Sequence, residues 1–144
     1  MIKTVEQVYK DDPGIDFANY SLEEEIKQYA GREPVGYNIL IRLYKPPKVD
    51  RINNILLPDS LIDQLDQDHK FTNLVGLVIK MGADAYKDTI KFPNGPYCKV
   101  GDWVQFKRAA GHSFAHNLIT SIYVYDDQIV DVVDDPRTTT RILV

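Results

Sequence analysis

The chain has 144 residues and a mass of 16.5 kDa, which is enough for one domain with its own hydrophobic core. Its net charge is −4, which argues against nucleic acid as the main partner. No apolar run approaches the roughly 20 residues of a membrane span, and no secretory signal is present, so no membrane contact is expected. The single Cys98 excludes an internal disulfide. These features predict a cytoplasmic protein.

Residues 1–34 differ from the rest of the chain because they are charged and lack sustained strand alternation. Ser21 followed by Glu24 matches a capping box. Apolar residues then recur at helical spacing: Leu22, Ile26 and Tyr29. The pattern predicts an N-terminal arm with one short helix over residues 22–30. A helix of this length is marginal alone, so its apolar stripe must pack on the body or on a neighbour.

From Val35 onward, short runs rich in Val, Ile, Tyr and Phe alternate with Gly, Pro, Asn and Asp, which is typical of an all-β domain. A small barrel or sandwich is predicted over residues 35–135, followed by a tail over residues 136–144. The predicted strands are 38–43, 74–80, a strand that begins at Trp103, 118–125 and 128–133. The last two are expected to form a hairpin through Asp126 and Asp127. Gly76, inside the second strand, predicts a bulge or a close backbone approach.

The connection between the first two strands, residues 45–73, is far longer than the usual 4–6 residues or so, and such loops are generally functional or disordered. It contains a bare apolar hexapeptide: Asn53, Asn54, Ile55, Leu56, Leu57 and Pro58. Three consecutive branched aliphatic residues cannot all face one core as a helix or an alternating strand. The segment is therefore predicted to be presented to a partner. The alternative is an extra buried edge strand.

Several segments follow one another in an order that resembles the GroES-type co-chaperonins, the chaperonin-10 family, over most of the chain. The first strand resembles the first barrel strand of that family, and residues 53–60 resemble the Gly-Gly-aliphatic tripeptide-Pro patch of its mobile loop. Residues 74–82, with Gly76 and Gly82, are similar to its Gly-x-Val-x-x-Val-Gly strand. Residues 121–133 are similar to its closing hairpin. Its Lys-Val-Gly-Asp-x-Val motif is matched by Lys99, Val100, Gly101, Asp102, Trp103 and Val104.

The resemblance implies a GroES-like small β-barrel and a non-enzymatic function as a lid. Copies of such a protein form a dome, and each lowers a mobile loop whose aliphatic tripeptide docks on the rim of an ATP-dependent chaperonin ring to assist protein folding. In this chain Ile55, Leu56 and Leu57 would dock, and Asn53 and Asn54 replace the glycines of the family. Residues 83–97 lie in the place of the roof hairpin, as a hairpin or a loop, and no cofactor is implied.

Two features depart from that family: residues 1–34 precede the first strand, and residues 137–144 extend the other end. Such additions resemble divergent bacteriophage members, and arms and tails in virions commonly clasp neighbouring subunits. The alternative function is therefore a virion structural protein, a capsid decoration or head-stabilising component that contacts the major capsid protein and reuses this fold. Both functions predict a homo-oligomer, the first in the host cytoplasm and the second in the virion.

Catalytic and metal-binding patterns are weaker. His112 and His116 have the spacing at which a helix places two imidazoles on one metal, but the Gly, Ser and Asn around them predict a loop. Cys98 and Trp103 are expected to pack in the core. Several aspartates lack the spacing of a calcium loop and predict a hairpin turn with a solvated acidic end: Asp126, Asp127, Asp131, Asp134 and Asp135. No enzyme, cofactor or metal is predicted.

Overall fold

The computed structural model describes residues 12–45, 51–52, 55–56, 58, 74–107 and 110–138. The strands are β1 (Asn38–Leu43), β2 (Arg51–Ile52), β3 (Ile55–Leu56), β4 (Val75–Met81), β5 (Trp103–Phe106), β6 (His112–His116), β7 (Ile119–Tyr125) and β8 (Ile129–Val133). One helix, α1, spans Leu22–Lys27, and short 3₁₀ turns lie at Phe17–Asn19, Asp126–Gln128 and Pro136–Thr138. No helix in these ranges is long and apolar enough to cross a membrane.

Six strands form one antiparallel sheet in the order β6-β7-β1-β4-β5-β8, and β2 pairs with β3 in a separate two-stranded sheet. The structure is therefore mostly β with little helix, as predicted. The predicted strands 38–43, 74–80, 118–125 and 128–133 correspond to β1, β4, β7 and β8 to within one residue at each end. A strand that begins at Trp103 is also confirmed.

The predicted hairpin between the last two strands is wrong. β7 is the second strand of the sheet and β8 is the sixth, although only the 3₁₀ turn Asp126–Gln128 joins them. In a flat sheet these strands would lie about 19 Å apart, whereas such a turn advances the chain by only about 2 Å per residue. The sheet must therefore curl strongly. Among the described residues no ladder joins β6 to β8, so the sheet is not closed.

The partner of β7 in a hairpin is instead β6, a strand that the sequence pattern did not predict. His116 pairs with Ile119, so two residues form the turn: Asn117 at a φ of 47° and Leu118 at a φ of 67°. Positive φ at both central positions is the geometry of a type I′ turn. The loop predicted around His112 and His116 is thus a strand.

The two faces of the sheet carry separate hydrophobic clusters. Along β1, Ile39 and Ile41 point to one face and Leu40 and Arg42 to the other. The first face is covered by the segment 83–98, which consists of turns and contains no strand. Four of its side chains are buried there: Ala85, Tyr86, Phe92 and Cys98. Of the two forms expected for residues 83–97, the hairpin and the loop, the structure has the loop.

Residues 12–34 cover the second face of the sheet, and we refer to them as the strap. Their apolar side chains pack on Leu40, Leu77 and Trp103, and they are Ile15, Phe17, Tyr20, Leu22, Ile26 and Tyr29. The described part of the arm therefore folds back on the body. The helix is shorter than predicted and continues as turns until Gly31 at a φ of 90°. Ser21 is its N-cap residue but makes no side-chain capping bond, so the predicted capping box is absent.

Gly76 allows β1 and β4 to approach closely. The ladder between these strands shifts register between Leu40 and Ile41. A Cβ atom on Gly76 would overlap the Ile41 side chain and lie 2.6 Å from the carbonyl oxygen of Arg42. Any larger residue would push the two strands apart, so the glycine marks the close backbone approach that was predicted.

Candidate functional site

The aliphatic hexapeptide lies in part on β3. Its ladder with β2 pairs Ile52 with Ile55 and Arg51 with Leu56, apart from the six-stranded sheet. The Leu56 side chain is 67% exposed, and Pro58 is also exposed. Leu56 is therefore not part of a buried edge strand, which was the alternative interpretation. Of the other predicted docking residues, Asn53, Asn54 and Leu57 lie outside the described residues.

The long connection leaves the sheet from a closed base, which we call the loop stem: Tyr44, Lys45 and Val75. The backbone N–H of Tyr44 donates to the carbonyl oxygen of Val75 at 3.0 Å, so the two ends of the connection are paired. The Tyr44 ring is buried and makes edge-on contacts with Phe17, at 6.2 Å between centroids, and Trp103, at 6.1 Å. The Lys45 Nζ donates to the carbonyl oxygen of Asp12 at 2.6 Å.

A buried arginine on β1 holds the strap against the sheet. The Arg42 side chain is 3% exposed and forms ion pairs with Glu25 and, at 3.6 Å, with Asp12. It also donates to the Gln28 side chain at 3.2 Å and to the Gly14 carbonyl at 3.1 Å. A buried charge is tolerated only when it is paired and hydrogen-bonded. The sheet face that bears Arg42 thus requires the acidic strap that covers it.

His116 joins the strap to the edge of the sheet. Its Nδ1 accepts from the Arg32 Nε at 2.8 Å, and its Nε2 lies 2.9 Å from the Gln28 carbonyl, to which it donates. This pair of bonds assigns a neutral ring, which also stacks on Tyr29 at 5.1 Å. On a strand, His112 lies roughly 13 Å from His116, so the two rings cannot share one metal ion.

The C-terminal aspartates serve the fold in different ways. Asp126, predicted to lie in a hairpin turn, lies instead in the 3₁₀ turn between β7 and β8, where it is buried and accepts from the Tyr86 N–H at 3.0 Å. Asp127 pairs with Lys91 at 2.8 Å, and hydrogen bonding to that ammonium lowers the pKa of the carboxyl. In the described part of the chain, no group of three or more His, Cys, Asp and Glu side chains is placed to hold a metal ion.

Three aromatic rings of the segment 83–98 pack against one another: Tyr86, Phe92 and Tyr97. The Tyr86 hydroxyl lies 3.6 Å from the Cys98 sulfur. Burial raises the pKa of both the Cys98 thiol and the Tyr86 hydroxyl. The thiol is therefore protonated at neutral pH and is a poor nucleophile. Cys98 and Trp103 are both core residues, as expected, but they lie on opposite faces of the sheet.

A groove of about 340 Å³ lies at the end of β1 remote from the loop stem. Its lining comprises Tyr37, Asp88, Lys91, Phe92, Tyr125, Asp126 and Asp127. The charged groups along it already have partners within the fold: Asp88 accepts from the N–H groups of Ile90 and Lys91, and Lys91 pairs with Asp127. The groove thus offers aromatic surface rather than converging reactive groups.

The Lys99–Asp102 motif has a structural role in this chain. The Asp102 carboxylate accepts from the Lys99 N–H at 3.0 Å, and Gly101, at a φ of 96°, donates to the Val78 carbonyl at 2.9 Å. A Cβ atom on Gly101 would lie 2.7 Å from a methyl group of Leu22. The glycine therefore allows both the tight turn and the contact with the strap. Val100 is exposed, whereas Trp103 is buried under the strap.

Comparison with protein-family models gives no match to this chain, and comparison with characterised proteins gives none either. The candidate site is thus defined by its geometry: an exposed Leu56 on a small ladder, and a stem that the strap covers. The sequence pattern did not predict the strap contacts of Arg42 and His116. The sequence did contain one sign of the Arg42 contacts. Arg42 is the one charged residue in the run 39–43, whose other residues are aliphatic, and a buried charge needs a partner.

Proposed function

We propose that the protein is a non-enzymatic lid of the co-chaperonin type, which docks on an ATP-dependent chaperonin ring through Ile55, Leu56 and Leu57. The observation that carries this proposal is the exposed Leu56 on a two-stranded ladder separate from the main sheet. Surface aliphatic residues in such a position mark an interaction site when they are contiguous, and the sequence places two more branched aliphatic residues beside Leu56.

The finer fold that we propose is a GroES-like β-barrel. Three features support it: a curled antiparallel sheet, a long connection directly after the first strand of that sheet, and the Lys99–Asp102 turn before β5. Two features differ from the sequence-based expectation. In the part of the chain that the structure describes, no ladder closes the sheet between β6 and β8, and β8 pairs with β5 rather than with β7.

Docking of one loop would be weak by itself. Burial of three aliphatic side chains in an apolar groove stabilises a complex by several kcal/mol, at about 25 cal/mol per Å² of buried apolar surface. The cost of ordering the loop reduces this gain. A ring of copies converts the later contacts into intramolecular events, which raises the total affinity well above that of one loop. The proposal therefore includes a homo-oligomer.

The proposal is tested by placing a carboxylate in the docking segment. Leu56→Asp should abolish association with a purified bacterial chaperonin ring in the presence of ATP, because an apolar groove cannot solvate the charge. Ile90→Asp is the matched control: Ile90 is 92% exposed but lies in the turn segment 83–98. We expect Ile90→Asp to associate like the parent in co-sedimentation. Equal association of all three proteins would refute docking through Leu56.

The second candidate is the virion structural protein. It is suggested by the segments at both ends of the domain, which depart from the chaperonin-10 pattern. These segments meet where the Arg137 guanidinium lies 4.7 Å from the centre of the Phe17 ring. Mass spectrometry of purified particles tests it directly. A stoichiometric copy number in the particles would support the virion function. Absence from the particles, together with loss of chaperonin association in Leu56→Asp, would support the lid.

A further inference from the structure

The strap reaches the stem of the long connection as well as the sheet. The Phe17 ring lies against Tyr44 on one side and against Trp103, at 5.7 Å between centroids, on another. The Tyr44 side chain is only 8% exposed as a result of this packing. Tyr44 is the last buried residue before the connection, and its N–H closes the stem on Val75. The 3₁₀ turn Phe17–Asn19 of the strap therefore covers the point from which the connection departs.

Asp12 makes a second link between the strap and the stem. Its carbonyl oxygen accepts from the Lys45 Nζ, while its carboxylate accepts from the Thr120 N–H at 3.0 Å and pairs with Arg42. The Asp12 side chain is 1% exposed. One residue of the strap thus contacts β1, β7 and the stem at once. Any motion that frees Asp12 from the sheet also removes a partner of Lys45.

We propose that the strap positions the long connection by fixing its stem, with Asp12 and Phe17 as the positioning residues. A stem held in one direction has fewer arrangements to lose when the connection binds a partner, so the docked strap strengthens that binding. The identity of the partner rests on the function proposed above. The control of the stem by the strap does not depend on that function, because Tyr44 and Lys45 contact the strap in the free protein.

A disulfide between the strap and the stem tests the proposal. A Cβ atom built on Gly14 lies 3.7 Å from the Cβ of Lys45, which is the usual separation for a disulfide. The double variant Gly14→Cys, Lys45→Cys can be compared with itself in the oxidised and reduced forms. Strain at Gly14, which has a φ of 74°, is present in both forms and cancels in the comparison. The native Cys98 is buried on the opposite face.

Amide hydrogen exchange distinguishes a strap that fixes the stem from a strap that only stabilises the whole fold. The Tyr44 amide reports opening of the stem, and the Val78 amide, bonded to the Asp102 carbonyl, reports opening of the sheet. We expect oxidation to slow exchange at Tyr44 at least tenfold more than at Val78. An equal change at both amides would show that the disulfide stabilises the whole fold without fixing the stem, and would overturn the proposal.

A pair of substitutions in the strap gives an independent test. Phe17→Ala removes the ring that packs on Tyr44, whereas Tyr20→Ala removes a strap ring that packs on Trp103 at 6.4 Å. We expect Phe17→Ala to speed exchange at Tyr44 about tenfold relative to Val78, and Tyr20→Ala to leave that ratio unchanged. The same ratio in both variants would contradict a specific role of Phe17.

Association with the chaperonin ring then separates this proposal from the function on which it rests. We expect the oxidised double variant to bind the ring about tenfold more tightly than the reduced form. If the parent protein does not bind the ring, the lid function fails, and the exchange ratio still decides whether the strap holds the stem. If the parent binds and oxidation changes neither affinity nor exchange ratio, the positioning role is wrong.

Discussion

Arg42 shows how one side chain can determine the arrangement of a whole segment. It is the only charged residue of β1, it is buried on the second face, and its ion pairs with Asp12 and Glu25 hold two points of the strap. Glu25 lies within α1, whereas Asp12 lies ten residues before that helix, ahead of the 3₁₀ turn Phe17–Asn19. A charge at this position is stable only when the strap is present, because an unpaired buried ion costs several kcal/mol.

Replacement of this arginine should therefore be severe. We expect Arg42→Met to lower the free energy of unfolding by about 3–5 kcal/mol, since it leaves two buried carboxylates without their partner. Urea denaturation measures the change. Lys27→Met is the matched control, because Lys27 pairs with Glu24 on the surface at 71% and 67% side-chain exposure. That variant should change stability by less than about 1 kcal/mol. Equal effects of the two variants would contradict the role of Arg42.

The structural roles of some single residues could be predicted from the sequence, and those of others could not. Gly76 was predictable because a glycine inside a strand marks a bulge or a close backbone approach. The absent capping bond of Ser21 was not predictable, because other contacts of the strap determine how the helix begins. Leu56 was predicted to be exposed from its apolar neighbours, and the structure agrees.

The turn of the β6–β7 hairpin places a bulky residue in a backbone conformation that does not suit it. Leu118 occupies a left-handed conformation that costs an ordinary residue about 1–2 kcal/mol. We expect Leu118→Gly to raise the free energy of unfolding by roughly 0.5–1 kcal/mol, because the relief of strain exceeds the added freedom of the unfolded chain. Asn117→Ala should lower it, because alanine tolerates positive φ less well than asparagine.

Thermal or urea denaturation measures the change in stability of both variants. Opposite signs for Leu118→Gly and Asn117→Ala would confirm a type I′ turn with strain at its second position. If Leu118→Gly destabilises the protein, the leucine side chain contributes more through its contacts than its backbone costs. Leu118 is both exposed and strained, a combination that selection for stability alone does not favour. A stabilising effect of Leu118→Gly would therefore suggest that the leucine is kept for a function.

The elements themselves were more predictable than their pairing. β1, β4, β5, β7 and β8 follow from local runs of apolar residues, which any strand with a buried face must have. β6 was missed because it is an edge strand whose residues are mostly exposed. The pairing of β8 with β5 was missed because three residues between two strands ordinarily make a hairpin. Only the curl of the whole sheet, which involves distant residues, allows the other arrangement.

At the scale of the whole molecule, two buried tyrosines link stability to alkaline pH. Burial raises the pKa of Tyr29 to about 12, although its hydrogen bond with the Ser121 hydroxyl opposes the shift. Burial also raises the pKa of Tyr86. The folded protein keeps these protons at a pH at which the unfolded chain, with a tyrosine pKa of about 10, releases them. The stability that Tyr29 provides is complete below about pH 10 and is lost as the pH rises towards 12.

The Tyr29 contribution can be isolated by substitution. We expect the free energy of unfolding of the parent to fall more steeply than that of Tyr29→Phe, by about 1.4 kcal/mol for each pH unit between about pH 10 and 12. Urea denaturation at several pH values provides the comparison. Parallel curves for the two proteins would show that burial against the sheet does not raise the pKa of Tyr29.

The short turn between β7 and β8 also has a consequence for the order of folding. The β7–β1 ladder and the β8–β5 ladder can be present together only in a curled sheet, because three residues join β7 to β8. Whichever of the two ladders forms second therefore completes the curl, and the β7–β1 ladder must bring residue 38 beside residue 125. Contacts between such distant residues form slowly. Until both ladders are in place, β1 or β5 keeps an unpaired edge that is open to contact with other chains.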